Sequence, residues 1–169
     1  PFGMQTPSDI SNTTSTIALA PIRSVTITAG NVLALGSVMM GDQVVGGTGT
    51  VVMNDGTLLN TYVLRASTLT VGTPWQVMAS TPAGPDQFVF YGVFDGASAP
   101  VLGNFDVDDV VGPDDRVSTS AQFSVAGSTT GASVPAGESR MLWIRFDAPT
   151  MTTTTAGQTM RIEITAQPP

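Results

Sequence analysis

Five carboxylates fall within one ten-residue stretch: Asp106, Asp108, Asp109, Asp114 and Asp115. Carboxylates spaced along a loop can supply many of the roughly six to eight oxygens that calcium takes, and without a cation their mutual repulsion loosens the loop. The run departs from the EF-hand, because Val110, Val111 and Val117 stand where that loop has an oxygen ligand, a glycine and its bidentate glutamate. A solvated acidic loop is the alternative. Calcium is the candidate cofactor, and no other is expected. Asp106, Asp109, Asp114 or Asp115 could also pair as acid and base in glycoside hydrolysis, yet nothing in the sequence sets their separation or raises one pKa. The expectation is a chain without catalytic residues.

Trp75, Phe88, Phe90, Tyr91, Phe94 and Trp143 could instead form a platform on which sugar rings stack, which makes a surface glycan a candidate partner. Phe88 and Phe90 share a face of an alternating run, and core packing is the commoner use of that pattern. Asn12-Thr13-Thr14 fits the glycosylation sequon, a motif that also arises by chance.

Other chemistries lack their atoms. The chain has no cysteine, no histidine and no lysine. Disulfides, thiolate sites, the Ser-His-Asp arrangement, the usual zinc and iron ligand sets and Schiff bases are therefore excluded. An intramolecular Lys-Asn crosslink falls with them, so durable fibres would have to be held by non-covalent pairing. Thirteen acidic residues face six basic ones, giving a net charge of -7. All six bases are dispersed arginines, and nucleic acid is not an expected partner. A 41% apolar content is too high for a disordered tail, while the run of ~20 apolar residues needed for a membrane helix is missing. Starting at Pro1, the chain reads as a processed, secreted product displayed at a cell surface.

The elements that would position these groups are strands. Thr159 to Ala166 alternates Met160, Ile162, Ile164 and Ala166 against Thr159, Arg161, Glu163 and Thr165; Ser139 to Phe146 sets Leu142, Ile144 and Phe146 opposite Met141, Trp143 and Arg145, with Trp143 placed to cover a sheet edge. Further strands are expected over Arg23–Thr28, Gly49–Asn54, Thr61–Ala66, Trp75–Ala79, Gln87–Phe94 and Ala121–Val125, separated by turn signals such as Pro82-Ala83-Gly84-Pro85 and Pro135-Ala136-Gly137. Asn54-Asp55-Gly56 predicts a tight connection, with glycine at positive φ, that makes the runs on either side neighbouring strands. The rhythm predicts an all-β fold, an immunoglobulin-like or jelly-roll-like antiparallel sandwich of about eight to ten strands over 22–169, preceded by an N-terminal β-arm over 1–21.

From about Ser24 to Ala166 the chain resembles a secreted β-sandwich domain of surface proteins from poorly characterised, largely uncultured bacteria. The resemblance rests on Met53-Asn54-Asp55-Gly56, Thr61-Tyr62-Val63-Leu64, Pro74-Trp75, Asp86-Gln87-Phe88, Val134-Pro135-Ala136-Gly137, Leu142-Trp143-Ile144-Arg145 and Ala148-Pro149-Thr150. It implies an exported immunoglobulin-like fold and transfers no catalytic residue. An N-terminal arm on such a domain is similar in layout to bacterial fibre subunits of the camelysin type and to archaeal bundling pili, which join by donor-strand exchange.

The arm is Thr14, Ser15, Thr16, Ile17, Ala18, Leu19 and Ala20, with Ile17 and Leu19 on one face and Pro21 interrupting any longer strand. It reads either as the first strand of its own domain or as a strand inserted into a neighbour's sheet. Head-to-tail addition of identical copies does not close and so builds a filament. The leading expectation is a structural filament subunit that pairs with copies of itself. The alternative is a surface-displayed binding module for carbohydrate or calcium.

Overall fold

A computed structural model describes residues 20–33 and 35–169 of the chain. Its strands are β1 (Thr26–Ala29), β2 (Gln43–Val45), β3 (Thr50–Met53), β4 (Thr61–Thr68), β5 (Gln76–Val77), β6 (Gln87–Asp95), β7 (Val110–Val111), β8 (Arg116–Val117), β9 (Ser139–Asp147) and β10 (Met160–Gln167), with short 3-10 turns at Leu102–Asn104 and Val107–Asp109. The fold is an all-β sandwich. None of the described helices is long and apolar enough to cross a membrane.

One sheet holds seven strands along the path β1-β3-β9-β6-β5, with β2 paired to β9 and β7 to β6; the other holds three, in the order β10-β4-β8. Every pairing is antiparallel except the two-residue contact of β5 with β6. Because β6 pairs with β9 from Asp147 to Met141, both β2 and β3 must occupy the opposite edge of β9. The wide sheet is thus five strand positions across and the narrow one three.

The two longest hydrophobic strands show how alternation builds the core. In β6, Phe88, Phe90 and Phe94 face the narrow sheet, while Val89, Tyr91 and Val93 face away. In β9, Leu142, Ile144 and Phe146 join the first set and Trp143 the second. Gly92 falls on the inner face because a Cβ there would meet Leu64, Val111 and Leu142 at 3.2 to 3.3 Å. Loops bring Ala83 and Phe105 onto the outer face of the wide sheet, where Val110 of β7 also packs, so the central strands are buried on both sides. Trp143 accordingly lies in a central strand rather than over an edge: it is 4% exposed, and its Nε1 donates to Gly96 O at 2.9 Å.

Four expectations about strands and turns are corrected. The runs flanking Asn54-Asp55-Gly56 are not neighbours, since β3 pairs with β1 and β9 whereas β4 pairs with β10 and β8. Asn54 and Asn60, both fully buried, divert the chain from one sheet to the other. Asn54 Oδ1 accepts from Gly56 N and Asn60 Nδ2, its Nδ2 donates to Leu58 O and Val134 O, and Asn60 Nδ2 also donates to Ser24 O. Gly56 is required by close approach rather than by positive φ, because a Cβ would sit 2.5 Å from Ile22 O.

Ala121–Val125 is not a strand. Thr119 Oγ1 accepts from Ala121 N and Gln122 N, which bends the backbone out of ladder geometry, and only a bridge from Ser124 to Phe94 remains. The Arg23 run begins pairing at Thr26, since Ile22 is tied to Thr57 instead: Ile22 N donates to Thr57 Oγ1 and Thr57 N to Ile22 O.

Candidate functional site

The acidic run does not converge. Asp106 caps the second 3-10 turn by accepting from Asp108 N at 2.8 Å, while Asp109 turns inward, 1% exposed. Asp109 Oδ1 accepts from Phe123 N at 2.8 Å and Oδ2 from Asp106 N at 3.0 Å, so the carboxylate joins two loops. Burial, reinforced by the nearby Asp106 charge, pushes its carboxyl up to about 6, against the pull of the backbone donors. Asp114 and Asp115 are exposed, and Asp115 lies 3.7 Å from Arg65. No group of three or more metal-ligating side chains forms among the described residues.

The aromatic set is distributed between the two cores. Phe88, Phe90 and Phe94 fill the space between the sheets, Trp75 packs partly buried against it, and Tyr91 and Trp143 sit on the opposite face of the wide sheet. On that opposite face Arg145 lies over the Tyr91 ring at 4.4 Å and binds Asp147 through two hydrogen bonds of 2.7 Å. Asp147 also accepts from Gln43 Nε2 at 3.1 Å. This buried pair was not singled out from sequence, although Arg and Asp two residues apart on one strand face were the available signal. Asn12 and Thr14 to Leu19 lie outside the described residues, and Ala20 is exposed.

A different feature emerges where the sheets differ in width. Two strand positions correspond to roughly 10 Å of inner face that the narrow sheet does not cover. On the β1 side this surface is a mainly apolar groove of about 160 Å³, floored by Phe90, Leu142 and Ile144 and walled by Ile27 and Leu33 on one flank and Met160, Ile162 and Ile164 on the other, with Asn31, Thr50 and Arg161 also in its lining. It continues past Met160 into a second hollow lined by Leu35, Val38, Trp75 and Phe146. Leu33, Leu35 and Val38 pack partly buried against it, and the described residues from 31 to 38 make no backbone hydrogen bond with other described residues. The second hollow, about 370 Å³, reaches the size of a small-molecule pocket, about 300–1,000 Å³. What the two hollows share is their place beside β10, since Met160 lines both and Ile162 and Ile164 line the first.

The outer face of β10 is charged. Arg161 and Arg65 both bind Glu163, and these guanidinium groups hold the Glu163 carboxyl below its ordinary value. The strand therefore has an ionic face toward solvent and an apolar face toward the groove. No protein-family model and no curated protein matches the chain.

Proposed function

We propose that this chain is a structural subunit of an extracellular filament, joined non-covalently to head-to-tail copies by its N-terminal arm, Thr14–Ala20. The observation that carries this reading is the mismatch of five strand positions against three, which leaves an apolar groove along one side of the sandwich. Burying Ile17 and Leu19 there would contribute about 1.5–3 kcal/mol each. Association costs about 4–15 kcal/mol, so these two side chains do not suffice alone. Main-chain pairing, at about 1 kcal/mol net per hydrogen bond, must add to them, which favours a strand over an isolated apolar anchor. With neither cysteine nor lysine in the chain, cohesion of this kind needs no covalent link.

The test is electron microscopy of the purified chain beside an Ile17→Asp, Leu19→Asp double variant. Filaments are expected from the first and dispersed particles from the second, with matching circular dichroism showing that the body still folds. Dispersed native monomers at every concentration would overturn the proposal.

A further inference from the structure

The groove is bounded by a strand edge whose hydrogen-bonding phase follows from its neighbours. Tyr62 N donates to Gly131 O at 2.8 Å, Ala66 N to Gly112 O at 2.8 Å, and Ser118 N to Tyr62 O at 2.9 Å. The even-numbered residues of β4 therefore direct their backbone away from β10. In an antiparallel ladder, directly opposed residues exchange both hydrogen bonds or neither. The pairs Ile162 with Ala66 and Ile164 with Leu64 are thus non-bonded, and β10 is tied to β4 through Arg161, Glu163 and Thr165. The bond from Leu69 N to Thr159 O, 2.7 Å, keeps the same phase. The N–H and C=O groups of Ile162 and Ile164 consequently point outward along the groove, with no backbone partner among the described residues. The same two residues line the groove with their side chains.

We infer that the β10 edge from Met160 to Ala166 accepts Thr14–Ala20 of a second copy of this chain as a fourth strand of the narrow sheet. The inference rests on the filament reading and names its acceptor. Nineteen residues precede Ala20, and Ile17 and Leu19 are spaced two apart as Ile162 and Ile164 are, so both can face the groove. Residues 10 to 21 carry no charge, so the arm adds no repulsion to an acidic body, in a chain whose net charge is -7.

Chain direction selects the second copy over the chain's own arm. Ile22 is bound to Thr57 and Arg23 Nη1 to Leu59 O, next to Thr61, which pairs with Gln167 at the end of β10. An arm folded back onto its own body would therefore run in the same direction as β10. An arm from another copy is free to lie antiparallel, the arrangement of every extended pairing in this fold and the slightly more stable one.

Because the chain lacks cysteine, an engineered pair reports contact without interference. With Ile17 and Leu19 facing inward, residue 18 faces outward beside the solvent face of β10, where Arg161 and Thr165 are exposed. Full-length Ala18→Cys is mixed with Arg161→Cys, with Thr165→Cys, or with Asp115→Cys near the opposite edge, and each mixture is oxidised mildly. A disulfide-linked heterodimer is expected with a β10 variant and not with Asp115→Cys. Its yield should drop at least about tenfold when Ile17→Asp and Leu19→Asp are added to the arm. Filaments that form without β10 cross-links would overturn the acceptor assignment and leave the filament reading standing. An Ala18→Cys, Thr165→Cys chain that closes on itself as a monomer would assign the arm to its own sheet, and the absence of both filaments and cross-links would remove both proposals.

Discussion

The two long sides of this sandwich meet the same demand, sealing the gap between two sheets, in opposite ways. On the β7–β8 side the loops act as surrogate strands. Gly112 O and Gly131 O accept from β4, Phe123 O accepts from Phe94 N, and Arg116 Nη1 donates to Val110 O. Phe123 closes that side at 0% exposure, held at φ 59° by the Asp109 carboxylate on its N–H. On the β1–β10 side, Ile27 remains 40% exposed, and Leu33, Leu35 and Val38 cover the seam with partly buried side chains and no backbone hydrogen bond among the described residues. A hydrophobic seam can be roofed by side chains alone, but a strand edge is satisfied only by another backbone or by water.

The largest break in this comparison should come from paired truncations. Phe123→Ala is expected to cost about 3–5 kcal/mol because it leaves a cavity in a packed site, whereas Ile27→Ala should cost less than about 1 kcal/mol. Denaturant unfolding measures both, and equal losses would show that the β1 side is as closed as the other.

Asp109→Asn sharpens the account of the closed side. The amide can accept from only one of the two backbone donors, so a loss of about 1–3 kcal/mol is expected. The loss should depend on pH. A carboxyl at about 6 in the folded chain binds its proton more tightly than the unfolded reference near 3.9, so its contribution is fully present in acid and declines as pH rises through about 6. The stability gap between native and Asn chains should therefore be widest near pH 4 and narrower by pH 7. A gap that widens with pH would mean that the charged, hydrogen-bonded carboxylate is the favoured form.

Hydrogen exchange probes the open side. In the unassembled chain the amides of Ile162 and Ile164 should exchange at least about tenfold faster than those of Glu163 and Thr165, and they should become protected on assembly. Uniform protection along β10 in the monomer would place a partner on that edge already. The smallest effect is expected from calcium. With Asp109 committed to backbone donors and Asp115 beside Arg65, millimolar calcium should shift the melting temperature by less than about 1 °C. A rise of several degrees would show that the acidic loop gathers around the ion.

The alternating runs of β6, β9 and β10 were legible because a strand facing a core has a two-residue period that needs no knowledge of its partner. What those runs could not reveal is which of them lies at an edge, since Ile162 and Ile164 have the same pattern whether or not another strand adjoins them. The acidic run was equally visible, but Asp106, Asp109 and Asp115 read alike in sequence until the fold gives each a different set of donors and a different depth.

Composition by itself removed cysteine, histidine and lysine chemistry, and alternation by itself set the fold class and the inward residues of the long strands. Tertiary structure alone decided that Asn54 and Asn60 carry the chain between sheets, that Asp109 is buried, and that one sheet is two strand positions narrower than the other. The physical reason is that side-chain period is a local property of the backbone. Sheet width, edge position and carboxylate depth are set by contacts between segments far apart in the chain, such as Thr61 with Gln167, or Asp109 with Phe123.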